Sequence, residues 1–194
     1  MARARRRVDT WKTKRWYEIL APKGFGEVKI GETLASDPSS LIGRTVETTM
    51  RELAGDFTKQ HIKLKFVITD VKGNQAYTAF KGHALSREYM RSQIRRKSTR
   101  VEGVVDVTTK DGWKLRVKTI AIAIGRVQTA QEKAIRRVMS DLVKKEAEEK
   151  DLDLLIQEII QNRLSVNMYR AASKIYPLKR VEVRKVKVLE SASA

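Results

Sequence analysis

Apolar and polar residues alternate most cleanly from His61 to Val71, where Ile62, Leu64, Phe66 and Ile68 are separated by Lys63, Lys65 and Val67. A period of two marks a half-buried strand. Lys72-Gly73-Asn74 supplies a turn and Gln75 to His83 a returning partner, so this stretch predicts a β-hairpin. The design repeats downstream: Val101 to Thr109 runs up, Lys110-Asp111-Gly112 turns, and Trp113 to Ile124 runs back. On that return Trp113, Leu115 and Val117 take one face and Lys114, Arg116 and Lys118 the other. Between the hairpins, Ser86 to Arg96 reads as a short helix, with Ser86 as N-cap and Glu88 in the first turn.

From Thr129 the period becomes 3.6. Ala134, Ile135, Val138, Met139, Leu142 and Val143 form one stripe; Lys133, Arg136, Arg137, Lys144 and Lys145 face away from it. A second helix is expected from Leu152 to Asn162, with Leu152, Leu155, Ile156, Ile159 and Ile160 as its stripe, and a third from Val166 to Ser173. Tyr176-Pro177 ends the helical region, and Val181 to Leu189 closes as a strand. Val181 and Val183 are out of phase with Val186 and Val188, which predicts a bulge near Arg184-Lys185.

The N-terminal third is less periodic. Arg15 to Leu20 is short, aromatic and β-leaning, and Pro22, Gly24 and Gly26 stop it. Gly31 to Gly43 reads as loop, Arg44 to Met50 as strand, and Glu52-Leu53-Ala54 as a helical turn. The expectation is an α+β fold. An antiparallel sheet or barrel of consecutive hairpins carries C-terminal helices packed at one side. A basic arm over 1–14 precedes a single domain over 15–190.

Charge changes the picture. The chain of 194 residues carries a net +18, and almost all of the surplus lies in three stretches. Arg3, Arg5, Arg6, Arg7, Lys12, Lys14 and Arg15 stand against Asp9 alone; Arg87, Arg91, Arg95, Arg96, Lys97 and Arg100 against Glu88; Arg170, Lys174, Lys179, Arg180, Arg184, Lys185 and Lys187 against Glu182. Such clustering is built to meet a dense polyanion at several places. The arm either threads along phosphates, where arginine offers a bidentate fork, or merely solubilises. Lys63, Lys65, Lys114, Arg116 and Lys118 form either an ordinary solvated sheet face or a phosphate-binding one. Trp11, Trp16 and Tyr17 interleave with the arm's cations, and they either stack on unpaired bases or, for Trp16 or Tyr17, plug the core. Acid gathers separately, at Glu146, Glu148, Glu149, Asp151 and Asp153. A protein lying on RNA turns such a region toward solvent or a basic neighbour, and Asp151 and Asp153 also suit the start of the second helix.

Catalytic chemistry is thin. Cysteine is absent, so thiolate zinc sites and thiol nucleophiles are excluded. His61 and His83 lie at one end of the first hairpin with no carboxylate at ligand spacing, so they read as sheet-end histidines and not as metal ligands. Gly24-Phe25-Gly26 lacks the third glycine of a dinucleotide fingerprint, and no phosphate-loop signature occurs. No catalytic residue, metal site or cofactor is assigned. The longest apolar run, Ile120 to Gly125, is far shorter than the roughly 20 residues that cross a bilayer.

Several blocks resemble a known family. Trp16-Tyr17-Glu18-Ile19-Leu20-Ala21-Pro22, Ile30-Gly31-Glu32-Thr33 and Leu41-Ile42-Gly43-Arg44-Thr45-Val46-Glu47 are similar to the opening of the archaeal and eukaryotic small-subunit ribosomal protein family S3Ae, also called eS1. Val104 to Thr109 with Asp111-Gly112-Trp113-Lys114-Leu115-Arg116 fits its central hairpin, and Ile175-Tyr176-Pro177-Leu178 with Val183-Arg184-Lys185-Val186-Lys187 its closing strand. The blocks run in order from about Asp9 to Leu189, and the short C-terminus resembles the archaeal type. The resemblance implies a non-enzymatic, cytoplasmic role in ribosomes, on the platform of the small subunit beside the messenger exit. Its implied partners are small-subunit ribosomal RNA, neighbouring ribosomal proteins and messenger RNA near the exit. The RNA-binding residues expected are Arg3, Arg5, Arg6, Arg7, Lys12, Lys14, Arg15, Arg95, Arg96, Lys97, Arg100, Lys114, Arg116, Lys179, Arg180, Arg184, Lys185 and Lys187. A free-standing RNA- or DNA-binding protein is the alternative.

The arm has no apolar periodicity with which to pack. Deleting residues 2–7 is therefore expected to leave the thermal midpoint nearly unchanged while reducing incorporation into small subunits. A large loss of stability would show instead that the arm packs on its own chain.

Overall fold

In the computed structural model, which describes residue 11 and residues 13–190, the expected mixture of strands and helices is present: eight β-strands and five α-helices among those residues. They pack as two compact units, one of the described residues up to Thr48 with Lys65–Phe80, the other of Thr49–Leu64 with the described residues from Lys81 onward. The strands β4 (Ile62–Lys72) and β5 (Gln75–Leu85) form the first predicted hairpin, and each contributes to both units.

In the first unit β1 (Arg15–Leu20) is central. It pairs antiparallel with β2 (Lys29–Ala35) and parallel with β5 through Glu18↔Gln75 to Leu20↔Tyr77. Both features correct the sequence reading. Gly31 to Gly43 was expected to be loop; its first part belongs instead to a strand, because the backbone of Lys29–Ala35 pairs with β1 from Arg15↔Ala35 to Leu20↔Lys29. The parallel pair escapes any rule built on consecutive hairpins. β3 (Thr45–Thr49) adds to β4. Tyr17, Ile19, Ala35, Leu41, Ile68 and Ala76 form the core. Beside it Phe25 packs edge-on to Phe66 at 5.4 Å between ring centroids, and Phe66 edge-on to Phe80 at 6.3 Å.

The second unit is built on β6 (Arg100–Thr108), β7 (Lys114–Ala123) and β8 (Leu178–Glu190), in the order β6-β7-β8, with β5 on the far side of β8 through Gly82↔Lys187 and Ala84↔Lys185. The last strand of the chain thus lies between β5 and β7. The pairing is open, so the barrel alternative is set aside. Short helices start where the sequence marks them. A capping box of Thr49 and Glu52 opens α1 (Met50–Ala54), and the Ser86 hydroxyl accepts from Tyr89 N to open α2 (Arg87–Gln93).

The long helix α3 (Thr129–Glu149) buries Ile135, Met139, Val143 and Ala147, and it packs against β6. α4 (Leu152–Ile160) and α5 (Arg163–Ala172) pack on one another and on α3, and α5 also meets β8. Asp151 precedes α4 as expected, but its side chain caps nothing. Asp111, from the hairpin turn, accepts from Leu152 N instead at 3.2 Å, and its hydrogen bond with Asp151 pushes the Asp151 carboxyl above the usual carboxylate range. On the opposite face of β7, Ile120 and Ile122 pack with Met90 of α2. Residues 119–123 of β7 are therefore buried on both faces.

Gly103 of β6 is the close-approach point. A Cβ there would lie 2.7 Å from Thr119 Oγ1 and within 4 Å of Arg136 and Met139 of α3. Gly103→Ala is expected to destabilise the protein by roughly 1–3 kcal/mol in urea unfolding. Combining it with Thr119→Ala should recover part of that loss, because the second change removes the clashing oxygen; purely additive effects would show that the contact is not the cause.

His83 is buried, and burial, followed by the charge of nearby His61, pushes its imidazole down from 6.5 to about 4. The unfolded chain takes up a proton near pH 6.5 and the folded chain only near pH 4, so acid favours unfolding across that window. The loss should be on the order of 3 kcal/mol. His83→Gln cannot titrate and should flatten the stability profile between pH 6.5 and 4. An unchanged slope would mean that other groups carry it.

Candidate nucleic-acid interface

Three pairings in the second unit turn basic residues outward together. Arg116 of β7 lies opposite Lys187 of β8, Lys118 opposite Lys185, and Lys114 opposite Glu190. The register comes from the predicted bulge: Lys118 pairs with Lys185 but Thr119 with Val183, leaving Arg184 as the extra residue. Through it Val181, Val183 and Val186 are all buried despite their mismatched parity, and Lys185 and Lys187 are exposed.

Like charges directly opposite one another destabilise a sheet. Two such pairs stand side by side here, and only one is relieved. Asp106 of β6 receives a two-pronged contact from Arg116, with Nε and Nη2 each 2.7 Å from a carboxylate oxygen. That contact holds the Asp106 carboxyl below its ordinary range and raises Arg116. Lys114 is met by Glu190 at 2.6 Å. Lys118, Lys185 and Lys187 have no side-chain partner among the described residues. Across β8 their neighbours on β5 are Gly82 and Ala84, which add almost no bulk beside the lysines.

The central and closing basic stretches are stitched together along one edge of this surface. Lys179 Nζ donates to Gln93 O at 3.0 Å; the Arg180 guanidinium donates to the Tyr89 hydroxyl; Arg184 reaches Glu102 at 2.7 Å. Glu102 also holds Arg100 at 3.2 Å, and its backbone oxygen accepts from Arg136 Nε at 2.8 Å. Tyr89, Gln93, Glu102 and Asp106 are the residues that sequence reasoning missed. Only Asp106 carried a signal, since its place in the hairpin puts it across from Arg116.

Beyond α2, Arg95, Arg96 and Lys97 form an exposed turn. The Ser98 hydroxyl donates to Arg95 O at 2.6 Å, and Lys97 takes a positive φ of 67°. A non-glycine residue in that region is strained, and such strain is concentrated where a chain does something specific. None of these three side chains has a partner among the described residues.

Of the arm, Arg3, Arg5, Arg6, Arg7 and Lys12 lie outside the described residues. The Lys14 ammonium sits 4.3 Å from the centre of the Trp11 ring, and Arg15 is exposed at the start of β1. The aromatic ambiguity is resolved: Tyr17 is 3% exposed and part of the core, whereas Trp16 is 59% exposed. The acidic region is partly engaged internally, because Lys150 reaches both Glu146 and Glu158. Neither histidine is placed as a metal ligand. His61 stacks on Tyr89 with ring centroids 4.0 Å apart, and among the described residues no group of three or more His, Asp or Glu is positioned to hold a metal ion.

Comparison with known proteins gives this surface its context. The profile of the Ribosomal S3Ae family matches residues 2–192. The small ribosomal subunit protein eS1 of Desulfurococcus amylolyticus is 50% identical over 181 residues, covering 93% of this chain and 85% of that protein. Its namesake in Methanothermobacter thermautotrophicus is 49% identical over 192 residues, 98% of each chain. That of Sulfolobus acidocaldarius is 45% identical over 184 residues, 94% of this chain and 93% of the other. With a family match from end to end and relatives of nearly its own length, this chain belongs to the Ribosomal S3Ae family, in the company of archaeal members.

Proposed function

We propose that this chain is a structural constituent of the small ribosomal subunit that binds small-subunit ribosomal RNA through its β7–β8 face and the turn at Arg95, Arg96 and Lys97. Family membership supports the ribosomal role and carries no enzymatic activity with it. The observation that carries the RNA assignment is the adjacent pairing of Lys118 with Lys185 and Arg116 with Lys187. Repulsion of that kind is retained where an external polyanion relieves it. The reading has Lys185 and Lys187 meeting phosphates directly. Arg100, Arg180 and Arg184 contribute field while their forks are held by protein groups, and the cations of the arm form a further contact. The platform beside the messenger exit is the position we assign within the subunit, in cytoplasmic ribosomes, with neighbouring ribosomal proteins and the departing messenger within reach. No helix among the described residues is long and apolar enough to cross a membrane.

Replacing both lysines, as Lys185→Glu with Lys187→Glu, separates binding from folding. The double variant should bind a small-subunit RNA fragment at least tenfold more weakly. Its slope of log affinity against log salt should be shallower by about 1.8, since each lost phosphate contact removes about 0.9. Its thermal midpoint should stay level or rise, because each glutamate faces a cation. Parent-like binding and parent-like entry into small subunits would remove this face from the interface. A parent protein that stays outside small-subunit particles at low salt would point instead to a free-standing nucleic-acid binder.

A further inference from the structure

Two hollows in the second unit adjoin one another and share Asn162 and Arg180. The larger, about 860 Å³, lies between the start of β4 and α2; the smaller, about 250 Å³, lies between α5 and the start of β8. Pockets for small organic ligands span roughly 300–1,000 Å³. None of the residues lining the larger hollow is aliphatic: they are hydroxyls, amides, ionised groups and the two rings of His61 and Tyr89. That lining argues against a protein side chain as occupant, because the buried centre of a protein interface is apolar.

The ring in the larger hollow is immobilised. The Tyr89 hydroxyl donates to Glu182 Oε1 at 2.6 Å and accepts from the Arg180 guanidinium, while His61 lies against the ring at an interplanar angle of 22°. Burial holds the His61 imidazole below its ordinary range, so the pair stacks without added charge near neutral pH. The side-chain amides of Gln60 and Asn162 make no hydrogen bond among the described residues, and an amide offers both the donor and the acceptor that a base edge requires. Lys63 is exposed at the rim, where its charge acts on the Glu88 carboxylate. In the smaller hollow Tyr169 is 40% exposed, with Lys179 beside it. Asn162, at the joint between the hollows, has a positive φ of 60° that turns the chain from α4 into α5.

Two aromatic stations with cations at and between them are the means by which single strands are held without base pairing. We propose that this trough binds a short single-stranded segment of RNA, with one unpaired base against the Tyr89–His61 stack, the next against Tyr169, and Arg180, its fork still held by Tyr89 and Glu182, lending its charge to the phosphate that joins them. The inference rests on the RNA-binding reading above and adds to it a second site. The β7–β8 face meets phosphates of any geometry, whereas the trough admits only nucleotides released from a duplex, whose base faces are otherwise covered.

The test uses the full chain, a labelled single-stranded RNA hexamer and a labelled RNA duplex of twelve base pairs, with affinity read by fluorescence anisotropy. Tyr89→Leu and Tyr169→Ala should each weaken hexamer binding roughly tenfold, the scale of one lost stacked base. Both should leave duplex binding within about twofold, and Tyr89→Phe, which keeps the ring, should bind the hexamer nearly as the parent does. Lys185→Glu with Lys187→Glu should weaken binding of the duplex, which has only that face to bind, more than that of the hexamer, which keeps the trough. If the aromatic variants leave hexamer binding unmoved while the lysine variant loses the duplex, the trough inference is overturned and the wider reading stands; a protein segment as occupant would give that same result. If the parent binds neither RNA at low salt, both readings fall. Because Tyr89 also packs against Met90 and its neighbours, Tyr169→Ala and His61→Ala carry the test should Tyr89→Leu fail to fold.

Discussion

The extra residue in β8 governs this molecule. Val181 and Val183 must face one way and Val186 must share the interior with them, yet their spacing sets odd positions against an even one. Inserting Arg184 between Lys185 and Val183 restores the parity, so that burial of three valines and exposure of two lysines follow from one break in the ladder. Slipping a strand by one residue would send its side chains to the opposite face. Without the bulge, half of β8 would present lysines to the core or valines to solvent. Packing thus enforces the placement of the lysines, and the same register sets Lys187 across from Arg116 and Lys185 across from Lys118.

Once β8 is so placed, the two basic stretches in the second unit are no longer separate anchor points. Lys179, Arg180 and Arg184 reach across to Gln93, Tyr89 and Glu102 and tie the closing strand to α2 and β6. These contacts lie at the surface, where single ion pairs contribute little to stability. Their larger effect is geometric. They fix where the guanidinium groups sit, and they hold Tyr89 rigid between a carboxylate and a cation.

Much of the fold was legible in period and punctuation. The alternation from Ile62 onward, the turns at Gly73 and Gly112, the Ser86 cap, the helix from Thr129 and the bulge at Arg184 all stand where local chemistry puts them. The misses share one cause. Strand 29–35 and the parallel pairing of Glu18 with Gln75 depend on partners distant in sequence, and so does the insertion of β8 between β5 and β7. Of the interface, the sequence disclosed which residues are basic but not which of them are already engaged. Arg100 and Arg184 look like Lys185 and Lys187 in composition; only their shared contact with Glu102, 82 residues from Arg184, separates them. The aromatic site was less legible still, because His61, Tyr89, Asn162 and Tyr169 come from four different elements or junctions.

That division has a consequence for how the net charge of +18 is understood. A fork-shaped guanidinium satisfied by Asp106 or Glu102 adds to the field that draws a polyanion in, but it must give up a good internal bond to touch a phosphate. An ammonium with no partner loses only water. On the proposed reading, long-range attraction and close contact are carried by different residues: the arginines of β7 and β8 set the field, and Lys185 and Lys187, with Lys118 beside them, make the contacts. A protein that must find a crowded polyanion and then settle on it in one register gains from keeping these tasks apart, because its fixed cations position the surface before the free ones commit.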